Sequence, residues 1–423
     1  MKDWEGITMA RMKFGAFLAP HHPIGEHPML QMRNDIKFAA HLDALGYDEF
    51  WVGEHHSTGW EVIASPEMFL AGVAEHTHRI RLGTGVVSLP YHHPFNVAQR
   101  MVQLDHMSGG RVIFGTGPGA LPSDAHMLGI DPMTQRDRQD EAIGVIQRLF
   151  AGERVSHKSD WFTLQDARLQ LFPLQEEMPI VAASSISPSG MTLAGKYGLG
   201  VLSIGSNSDA GLAALPTQWG FAEEAARKSG KTVDRKNWRV LMSWHIAETR
   251  EQAIAESAQG LMHWHNEYTV GTLMRPGAAA FKTPEEAVEQ TAFSPGAAAV
   301  IGTPDDLVAA IRKLHDSAGG FGVVLGFVHD WANRENTNRS WELVARYVIP
   351  EVQGLLEGYR TSRQYVIDNR EWFERAGQAV LAKIMSHEGA AKALQEGMQA
   401  GVAMRSPNAP DLNKAAAEVK AGE

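Results

Sequence analysis

Apolar and polar positions follow two patterns along the chain. Short apolar runs rich in β-branched residues are typical of buried strands, and longer stretches with apolar residues every three or four positions are typical of amphipathic helices. The predicted strands are residues 12–19, 49–53, 80–87, 111–115, 178–183, 199–204, 238–247 and 321–327. The clearest predicted helices are residues 29–45, 66–77, 95–107, 136–150 and 250–266.

Eight strands that each lead into a helix predict an α/β fold, a closed (β/α)8 TIM barrel. The alternative is a doubly wound open sheet, which binds its ligand at a switch point in the strand order. Residues 151–174 are predicted to form an inserted hairpin, and the Gly-, Ala- and Pro-rich residues 269–300 a mobile lid. We expect the barrel to span residues 12–358. Residues 359–423 are predicted to be a C-terminal helical extension with a frayed end.

The start of one helix can be identified from four consecutive residues after the predicted lid. Thr303 suits the N-cap, Pro304 the first helical position, and Asp305 and Asp306 place acidic groups in the first turn. A helix is therefore predicted to begin at this point.

Composition narrows the class of protein. The chain has 423 residues, of which 44% are hydrophobic and 21% charged, as in a folded protein with a large core. It has no cysteine, which excludes disulfides, thiolate metal sites and a cysteine nucleophile. A net charge of -10 disfavours nucleic-acid binding. No apolar run approaches the roughly 20 residues that are needed to cross a membrane. Residues 1–11 lack the apolar stretch of a signal peptide. We therefore expect a cytoplasmic protein that binds no membrane.

The second predicted strand runs into two consecutive histidines, His55 and His56. Barrel enzymes place their chemistry where strands end. Because neighbouring strand side chains point to opposite faces, we expect one of the two histidines at the barrel mouth. There it can act as a base or hydrogen-bond donor near neutral pH. The alternative is a pair of loop histidines hydrogen-bonded to the backbone.

Glycines cluster at the ends of the third and fourth predicted strands. Gly83 and Gly85 lie in the third, and Gly117 follows the fourth. The spacing around Gly117, together with Pro118, does not fit a dinucleotide fingerprint. Glycines at these places let a flat ring lie against the backbone. The alternative is that they only accommodate the curvature of the barrel.

Four serines follow the fifth predicted strand: Ser184, Ser185, Ser187 and Ser189. Their hydroxyls and the free amides of a helix beginning at Ser187 would form an anion site suited to a phosphate. Capping of the helix by one serine is the alternative.

The sequence signals for a metal site and for the nucleophile of a serine hydrolase are weak. His263 and His265 are two residues apart, so on a helix they face different ways and do not form a metal pair. The first strand lacks the His-x-His of a metal-dependent barrel hydrolase, and no Gly-x-Ser-x-Gly elbow is present. We expect no metal.

These segments together resemble the bacterial-luciferase-like family of flavin-dependent oxidoreductases. The resemblance covers roughly residues 12 to 355, and residues 328–332 (VHDWA) and 346–350 (RYVIP) are similar to its limonene-monooxygenase subgroup. The segments that carry it are Gly46-Tyr47-Asp48-Glu49-Phe50-Trp51, Glu54-His55-His56, Gly83-Thr84-Gly85, Leu89-Pro90, His93-Pro94, Leu104-Asp105-His106-Met107-Ser108-Gly109-Gly110-Arg111, Phe114-Gly115 and Ile301-Gly302-Thr303-Pro304.

The resemblance implies a two-component monooxygenase. Such a barrel binds reduced FMN at its C-terminal mouth, usually as a homodimer, and a separate flavin reductase supplies the reduced FMN. Dioxygen then oxygenates a small apolar substrate such as a terpene, ketone or aldehyde. His55 matches the luciferase histidine that assists the oxygen chemistry, and Ser185 matches a phosphate-contacting serine. A non-prolyl cis peptide of the family falls on Gly85–Val86.

The sequence departs from luciferase at three positions. Ser184 stands where luciferase has a glutamate, Gly117 where it has a cysteine, and Pro118 where it has an arginine that contacts the phosphate. The phosphate must therefore be held by serines, amides or another basic residue. The cofactor-binding residues expected from the sequence and the resemblance are His56, Gly85, Val86, Gly117, Ser184, Ser185 and Ser187.

Three alternatives to a monooxygenase remain open: a deazaflavin-dependent dehydrogenase on the same barrel, a metal-dependent barrel hydrolase, and a non-catalytic flavin-binding protein. Trp60, Met68, Trp264 and Trp331 are candidate walls of the substrate pocket, and each is also a candidate core residue.

Overall fold

A computed structural model describes residues 11–19, 21–185, 187–204, 209–295, 297 and 299–399. Within these residues, no helix is both long enough and apolar enough to span a membrane. The strands are β1 (Lys13–Leu18), β2 (Glu49–Val52), β3 (Arg81–Thr84), β4 (Val87–Ser88), β5 (Val112–Gly117), β6 (Val155–Lys158), β7 (Thr163–Ala167), β8 (Ile180–Ser184), β9 (Gly200–Ser203), β10 (Trp238–Ile246), β11 (Ala299–Gly302) and β12 (Val323–Phe327).

Eight parallel strands form a closed ring in the order β1, β2, β3, β5, β8, β9, β10 and β12. The ring closes because β12 pairs with β1 and β9 pairs with β10. Each ring strand overlaps one of the eight predicted strands. The (β/α)8 TIM barrel is therefore confirmed, and the open doubly wound sheet is wrong. The strand β11, which pairs with the far end of β10, was not predicted.

Helices connect the strands and cover the barrel. They are α1 (Pro28–Leu45), α2 (Pro66–Ala74), α3 (Pro94–Met107), α4 (Pro122–Met127), α5 (Gln135–Phe150), α6 (Ser189–Tyr197), α7 (Asp209–Ser229), α8 (Arg250–His263), α9 (Pro284–Val288), α10 (Pro304–Ala318), α11 (Arg334–Leu343), α12 (Ile349–Val352), α13 (Glu357–Asp368), α14 (Arg370–Met385) and α15 (Glu388–Gln399). Three π-helical segments are Trp264–Thr272, Glu289–Phe293 and Val344–Val348.

Two interruptions of the barrel pattern are structured. The antiparallel pair β6 and β7 confirms the hairpin predicted in residues 151–174. Residues 269–300 include the end of one π-helical segment, the short helix α9, a second π-helical segment and the start of β11. The described part of this region thus contains regular elements, and its role as a lid stays a prediction. Helix α10 begins as predicted, with a capping box between Thr303 and Asp306.

The side chains of β2 alternate between two apolar layers. Trp51 lies in the cluster inside the barrel, whereas Phe50 and Val52 lie in the cluster between the barrel and its helices. Near the start of the strands the interior also holds an ion pair, in which Arg239 Nε contacts Glu49 Oε2 at 2.8 Å. The Trp51 indole N–H donates to the same carboxylate at 2.9 Å. Because successive strand side chains point to opposite faces, the side chains of this one strand contribute to both apolar layers.

The chain divides into two compact units, Met1–Gln353 and Gly354–Glu423. The first contains the barrel, and the division falls before the predicted boundary at residue 358. The described part of the second unit consists of α13, α14 and α15. The extension was predicted to fray beyond about Leu394, but α15 continues to Gln399, and the residues after 399 lie outside the described residues.

Candidate active site

Four consecutive strands of the barrel end at one side of its C-terminal rim. The strands β2, β3, β5 and β8 are neighbours in the ring, so the segments at their ends lie side by side. These segments carry His55, Gly85, Val86, Gly117 and Ser184. The fold therefore brings five of the predicted site residues to the part of a barrel that usually carries chemistry.

The imidazole of His55 lies between two carboxylates. Its Nδ1 is 3.0 Å from Asp124 Oδ2, and its Nε2 is 3.4 Å from Glu61 Oε2. Burial by itself lowers the pKa of His55, but the hydrogen bond to Asp124 and the charges of Glu61 and Asp124 outweigh burial and raise the pKa above its usual value. The two carboxylates therefore favour the charged form of the His55 ring over the neutral form.

Asp124 anchors the segment around His55. It lies in α4, the helix that follows β5, and its carboxylate also accepts hydrogen bonds from the Ser57 hydroxyl and, at 3.1 Å, from the backbone N–H of His56. Burial opposes its ionisation, but hydrogen bonds from His55 and Ser57 lower the pKa of Asp124. An ionised Asp124 thus fixes the orientation of the His55 ring.

Glu61 connects His55 to the region after α8. Its side chain is 3% exposed, and its carboxylate lies 2.7 Å from His21 Nε2 and accepts the hydroxyl of Tyr268 at 2.8 Å. Burial alone would raise its pKa, but the charge and hydrogen bond of His21, with help from His55 and Tyr268, lower the pKa of Glu61 to about 2. Glu61 is thus a buried anion that joins the segment after β2 to the π-helical segment Trp264–Thr272.

His56 belongs to a different cluster from His55. Its Nε2 is 2.9 Å from Glu54 Oε1, and His92 Nε2 is 2.7 Å from the same oxygen. Glu54 Oε2 accepts the backbone N–H of Ser88 at 2.8 Å. Burial opposes ionisation, but the hydrogen bonds from both histidines lower the pKa of Glu54 to about 2. Hydrogen bonding to Glu54 in turn raises the pKa of His56.

Glu54, His56 and His92 also carry the ligand types of a metal site. Within the described part of the chain they are the one such group, with a ligand atom from each residue within 4.8 Å of the others. The same atoms are already paired with one another by hydrogen bonds. The expectation that the chain binds no metal stays a prediction.

The glycines at the ends of β3 and β5 allow a close approach of two backbone segments. The peptide bond between Gly85 and Val86 is cis, as the resemblance implied. A Cβ at Gly117 would lie 2.4 Å from a methyl carbon of Val86, and a Cβ at Gly85 would lie 2.6 Å from the ring of Phe17. Glycine is therefore required at both positions, because the side chains of Val86 and Phe17 pack directly onto them.

The serines after β8 divide into buried and exposed groups. Ser184 is buried, and its Oγ has no hydrogen-bond partner among the described residues. Ser185 and Ser187 are exposed, and Ser187 Oγ contacts Ser189 Oγ at 2.8 Å. The prediction that the helix begins at Ser187 is wrong, because α6 begins at Ser189 with Pro188 at the N-cap. Proline fixes its own φ near the helical value and can open a helix, so Ser187 lies outside it.

The first turn of α6 lies against the end of β8. A Cβ at Gly190 would lie 2.2 Å from the carbonyl oxygen of Ala183 and 2.8 Å from the Cα of Ser184. Pro188 offers no side-chain hydrogen bond to the first-turn amides. These amides and the unpaired hydroxyl of Ser184 are therefore neighbours, which is the arrangement that suits an anion.

Of the four candidate pocket walls, three belong to one group of aromatic side chains. The ring of Trp60 contacts Tyr268 at 5.5 Å, and Tyr268 contacts Trp264 at 6.2 Å. Trp264 contacts Trp331 at 6.2 Å. Met68, on α2, is 75% exposed. Its assignment as a pocket wall is therefore wrong. A long apolar side chain on a surface helix was mistaken for one that lines a pocket.

Sequence reasoning missed the partners of both histidines. Asp124 is 69 residues from His55, and Tyr268 is 207 residues from Glu61. No local pattern joins such positions. Glu61 and Glu54 could have been identified from the sequence, because an acidic residue close in sequence to a candidate catalytic histidine is a usable signal.

The closed barrel and the paired histidine at its C-terminal rim define an α/β-barrel enzyme with acid–base groups at the mouth. The chain belongs to the luciferase-like monooxygenase family, whose sequence pattern it matches over residues 12–319. It is therefore an oxidoreductase, and the resemblance noted from the sequence is confirmed.

Two relatives and one solved structure illustrate this membership. The chain is 47% identical to 4-hydroxyprotoasukamycin monooxygenase of Streptomyces nodosus subsp. asukaensis, over 85% of this chain and 97% of the relative. It is also 47% identical to limonene 1,2-monooxygenase of Rhodococcus erythropolis, over 81% of this chain and 87% of the relative. The oxygenating constituent of 3,6-diketocamphane monooxygenase from Pseudomonas putida, a type II Baeyer–Villiger enzyme in complex with FMN, superposes with a TM-score of 0.65 and 25% identity, covering 81% of this chain and 99% of that one.

Proposed function

We propose that this protein is the oxygenase of a two-component system, which uses reduced FMN from a separate flavin reductase and dioxygen to oxygenate a small apolar substrate. The observation that carries the proposal is the imidazole of His55 held between Asp124 and Glu61 at the barrel mouth. Named relatives support it: the two at 47% identity are monooxygenases, and the structural neighbour contains FMN.

The residues at the rim fit FMN. The buried, unpaired hydroxyl of Ser184 and the first-turn amides of α6 suit its phosphate, without the arginine that Pro118 replaces. Gly117, which adds no side chain of its own beside Val86, leaves room for its flat ring. When bound, reduced FMN supplies the two electrons with which dioxygen delivers one oxygen atom to a substrate and the other to water.

The protein's own part in the reaction is to supply a proton and a dry site. Asp124 accepts a hydrogen bond from His55 Nδ1 and holds the proton on that nitrogen. The other ring nitrogen, Nε2, lies farther from its carboxylate, at 3.4 Å from Glu61. The proton on Nε2 is therefore the more loosely held of the two. His55 can therefore donate from Nε2 to an oxygen atom at the mouth. The aromatic side chains of Trp60, Trp264 and Tyr268 keep this region apolar, which limits loss of oxidising equivalents to water as peroxide.

The first prediction tests His55. His55→Ala removes the proton donor, so we expect oxygenated product per turnover to fall about 100-fold while hydrogen peroxide rises. Product and peroxide are measured with chemically reduced FMN, dioxygen and a panel of terpenes, ketones and aldehydes. His106→Ala, on a surface histidine that contacts the Phe172 carbonyl oxygen, is the control. Full oxygenation without extra peroxide in His55→Ala would contradict the assigned role.

The same assay with a reduced deazaflavin in place of FMN tests the dehydrogenase alternative. Hydride transfer with the deazaflavin, and no oxygenation with FMN, would overturn the proposed function. The homodimer and the cytoplasmic location stay predictions.

A further inference from the structure

Six aromatic side chains at the barrel mouth contact one another, and we call them the mouth cluster. Trp264 lies at the centre, with ring centroids 5.9 Å from His21, 5.3 Å from His329 and 6.2 Å from Trp331. His329 stacks on Trp331 at 3.9 Å and on Phe327 at 4.4 Å. The members of the cluster are His21, Trp264, Tyr268, Phe327, His329 and Trp331.

Four ring nitrogens of this cluster are buried without a hydrogen-bond partner in the described part of the chain. They are His21 Nδ1, Trp264 Nε1, His329 Nδ1 and Trp331 Nε1. Each buried polar group left unpaired costs about 1–3 kcal/mol. Four of them in one group of touching rings are therefore unusual for a folded core and indicate a ligand that pairs with them.

The chemistry of these nitrogens selects the kind of ligand atom. An indole nitrogen only donates, so Trp264 and Trp331 both require an acceptor. His329 Nε2 is occupied by the Ser243 hydroxyl at 2.9 Å, and its Nδ1 can take either role, according to the tautomer. Burial, and to a smaller degree His21, keep the pKa of His329 well below its usual value, so its ring is neutral.

The charge beside the cluster disfavours an anionic ligand. Glu61, ionised at neutral pH, contacts two members of the cluster, His21 and Tyr268. The Nε2 atom of His21 already faces that carboxylate. A carboxylate or phosphate on the ligand would therefore meet a buried negative charge. A neutral oxygen acceptor on an apolar skeleton fits instead.

The cluster is connected to the proposed proton donor. Glu61 Oε2 accepts the Tyr268 hydroxyl and lies 3.4 Å from His55 Nε2. Tyr268 and Glu61 thus link the mouth cluster to His55. Trp331 also packs into the apolar cluster with Leu261 of α8, which keeps that ring in place.

We propose that the indole N–H groups of Trp264 and Trp331, with the free ring nitrogen of His329, form a subsite for a neutral carbonyl oxygen of the substrate. The preferred substrate is then an apolar ketone or enone rather than a plain hydrocarbon. A hydrocarbon of the same shape leaves the donors unpaired, and sites built to hydrogen-bond a substrate discriminate strongly against analogues that lack the group. This inference rests on the proposed function, since it names the substrate class of the same site.

The experiment compares carvone with limonene, which share a carbon skeleton and differ by one carbonyl group. Binding to the full-length protein is measured by isothermal titration calorimetry without reductant, so a failure of oxygenation does not affect the result. We expect carvone to bind about 10-fold or more tightly than limonene. Trp331→Phe and Trp264→Phe keep an aromatic ring and remove the N–H, so each should lose about 10-fold in carvone affinity with limonene affinity unchanged.

Trp244→Phe is the matched control. Trp244 also has a buried Nε1 without a partner in the described residues, but it contacts Trp341 in the layer between barrel and helices, outside the mouth cluster. Its variant should bind both ligands as the unaltered protein does. Equal affinity for the two ligands, binding of neither, or equal losses for both ligands in the mouth-cluster variants would overturn the subsite.

Discussion

At the scale of single residues, the chemistry depends on the charge state of His55. Burial disfavours the charged ring, whereas the hydrogen bond to Asp124 and the charges of Glu61, Asp124 and Glu54 favour it and raise the pKa of His55. Asp124 is the nearer of the two carboxylates in contact with the ring, at 3.0 Å, and forms the hydrogen bond to Nδ1. Asp124 and Glu61 would thus control the proton that we propose His55 donates.

Asp124→Asn tests this control through the pH dependence of oxygenation. The amide keeps the size of the side chain but removes the negative charge, so the pKa of His55 falls and the ring loses its proton at a lower pH. We expect the high-pH limb of the product-formation profile to move to lower pH. Product and peroxide are measured from about pH 6 to about pH 9, the range around the ordinary histidine pKa.

Asp140→Asn is the control for a general charge effect, because Asp140 pairs with Lys196 away from the mouth. Its profile should match that of the unaltered protein. An unshifted profile in Asp124→Asn would mean that another group sets the pH dependence.

At the scale of elements, the connection from β8 to α6 determines the anion site. Helix α6 can lie against the end of β8 only because residue 190 has no side chain, since a Cβ there would overlap the carbonyl oxygen of Ala183. This contact keeps the first-turn amides beside Ser184. The proposed affinity for the FMN phosphate therefore depends on how closely α6 approaches β8.

Gly190→Ala should displace the first turn of α6 and weaken FMN binding about 10-fold or more, because the amides and the serine hydroxyl no longer converge. The dissociation constant is measured by quenching of flavin fluorescence. Gly220→Ala serves as the control, since a Cβ at this position of α7 meets no atom within 4 Å. Unchanged FMN affinity in Gly190→Ala would place the phosphate elsewhere.

At the scale of the whole molecule, closure of the barrel places charged groups in its interior. Arg239 of β10 forms two hydrogen bonds with Glu49 of β2, at 2.8 and 2.9 Å, across the barrel. Both residues are almost fully buried. Burial opposes ionisation of Glu49, but the charge and hydrogen bonds of Arg239 lower the pKa of Glu49. The pair matters for folding, because either charge alone would remain buried without a partner.

Arg239→Met should reduce the free energy of unfolding by about 3–5 kcal/mol, because it leaves the Glu49 carboxylate unpaired inside the barrel. Chemical denaturation followed by circular dichroism measures this change. The double variant Glu49→Leu with Arg239→Met should recover most of the loss, since no buried charge remains. A double variant as unstable as the single one would show that packing, not charge, is responsible.

Much of the fold could be predicted from the sequence, and less of the site. The eight strands, the inserted hairpin and the capped start of α10 at Thr303 were all visible as local patterns, because strand periodicity, turn residues and capping groups act within a few positions. The short β11 was missed because its four residues lie beside a Gly- and Pro-rich stretch. The start of α6 was placed two residues early because serine is the more common cap than proline.

By itself, the sequence determined that the chain forms a β/α barrel with His55, the glycines and the serines at its strand ends, because each of these features depends on neighbouring residues. Only the tertiary structure decided which groups meet there. Asp124 of α4 and Glu61 contact His55, and Tyr268 of the π-helical segment Trp264–Thr272 contacts Glu61. The rings of Trp264 and Trp331 likewise come within 6.2 Å of each other only in the folded barrel. Contacts of this kind follow from three-dimensional proximity, which no local pattern of residues specifies.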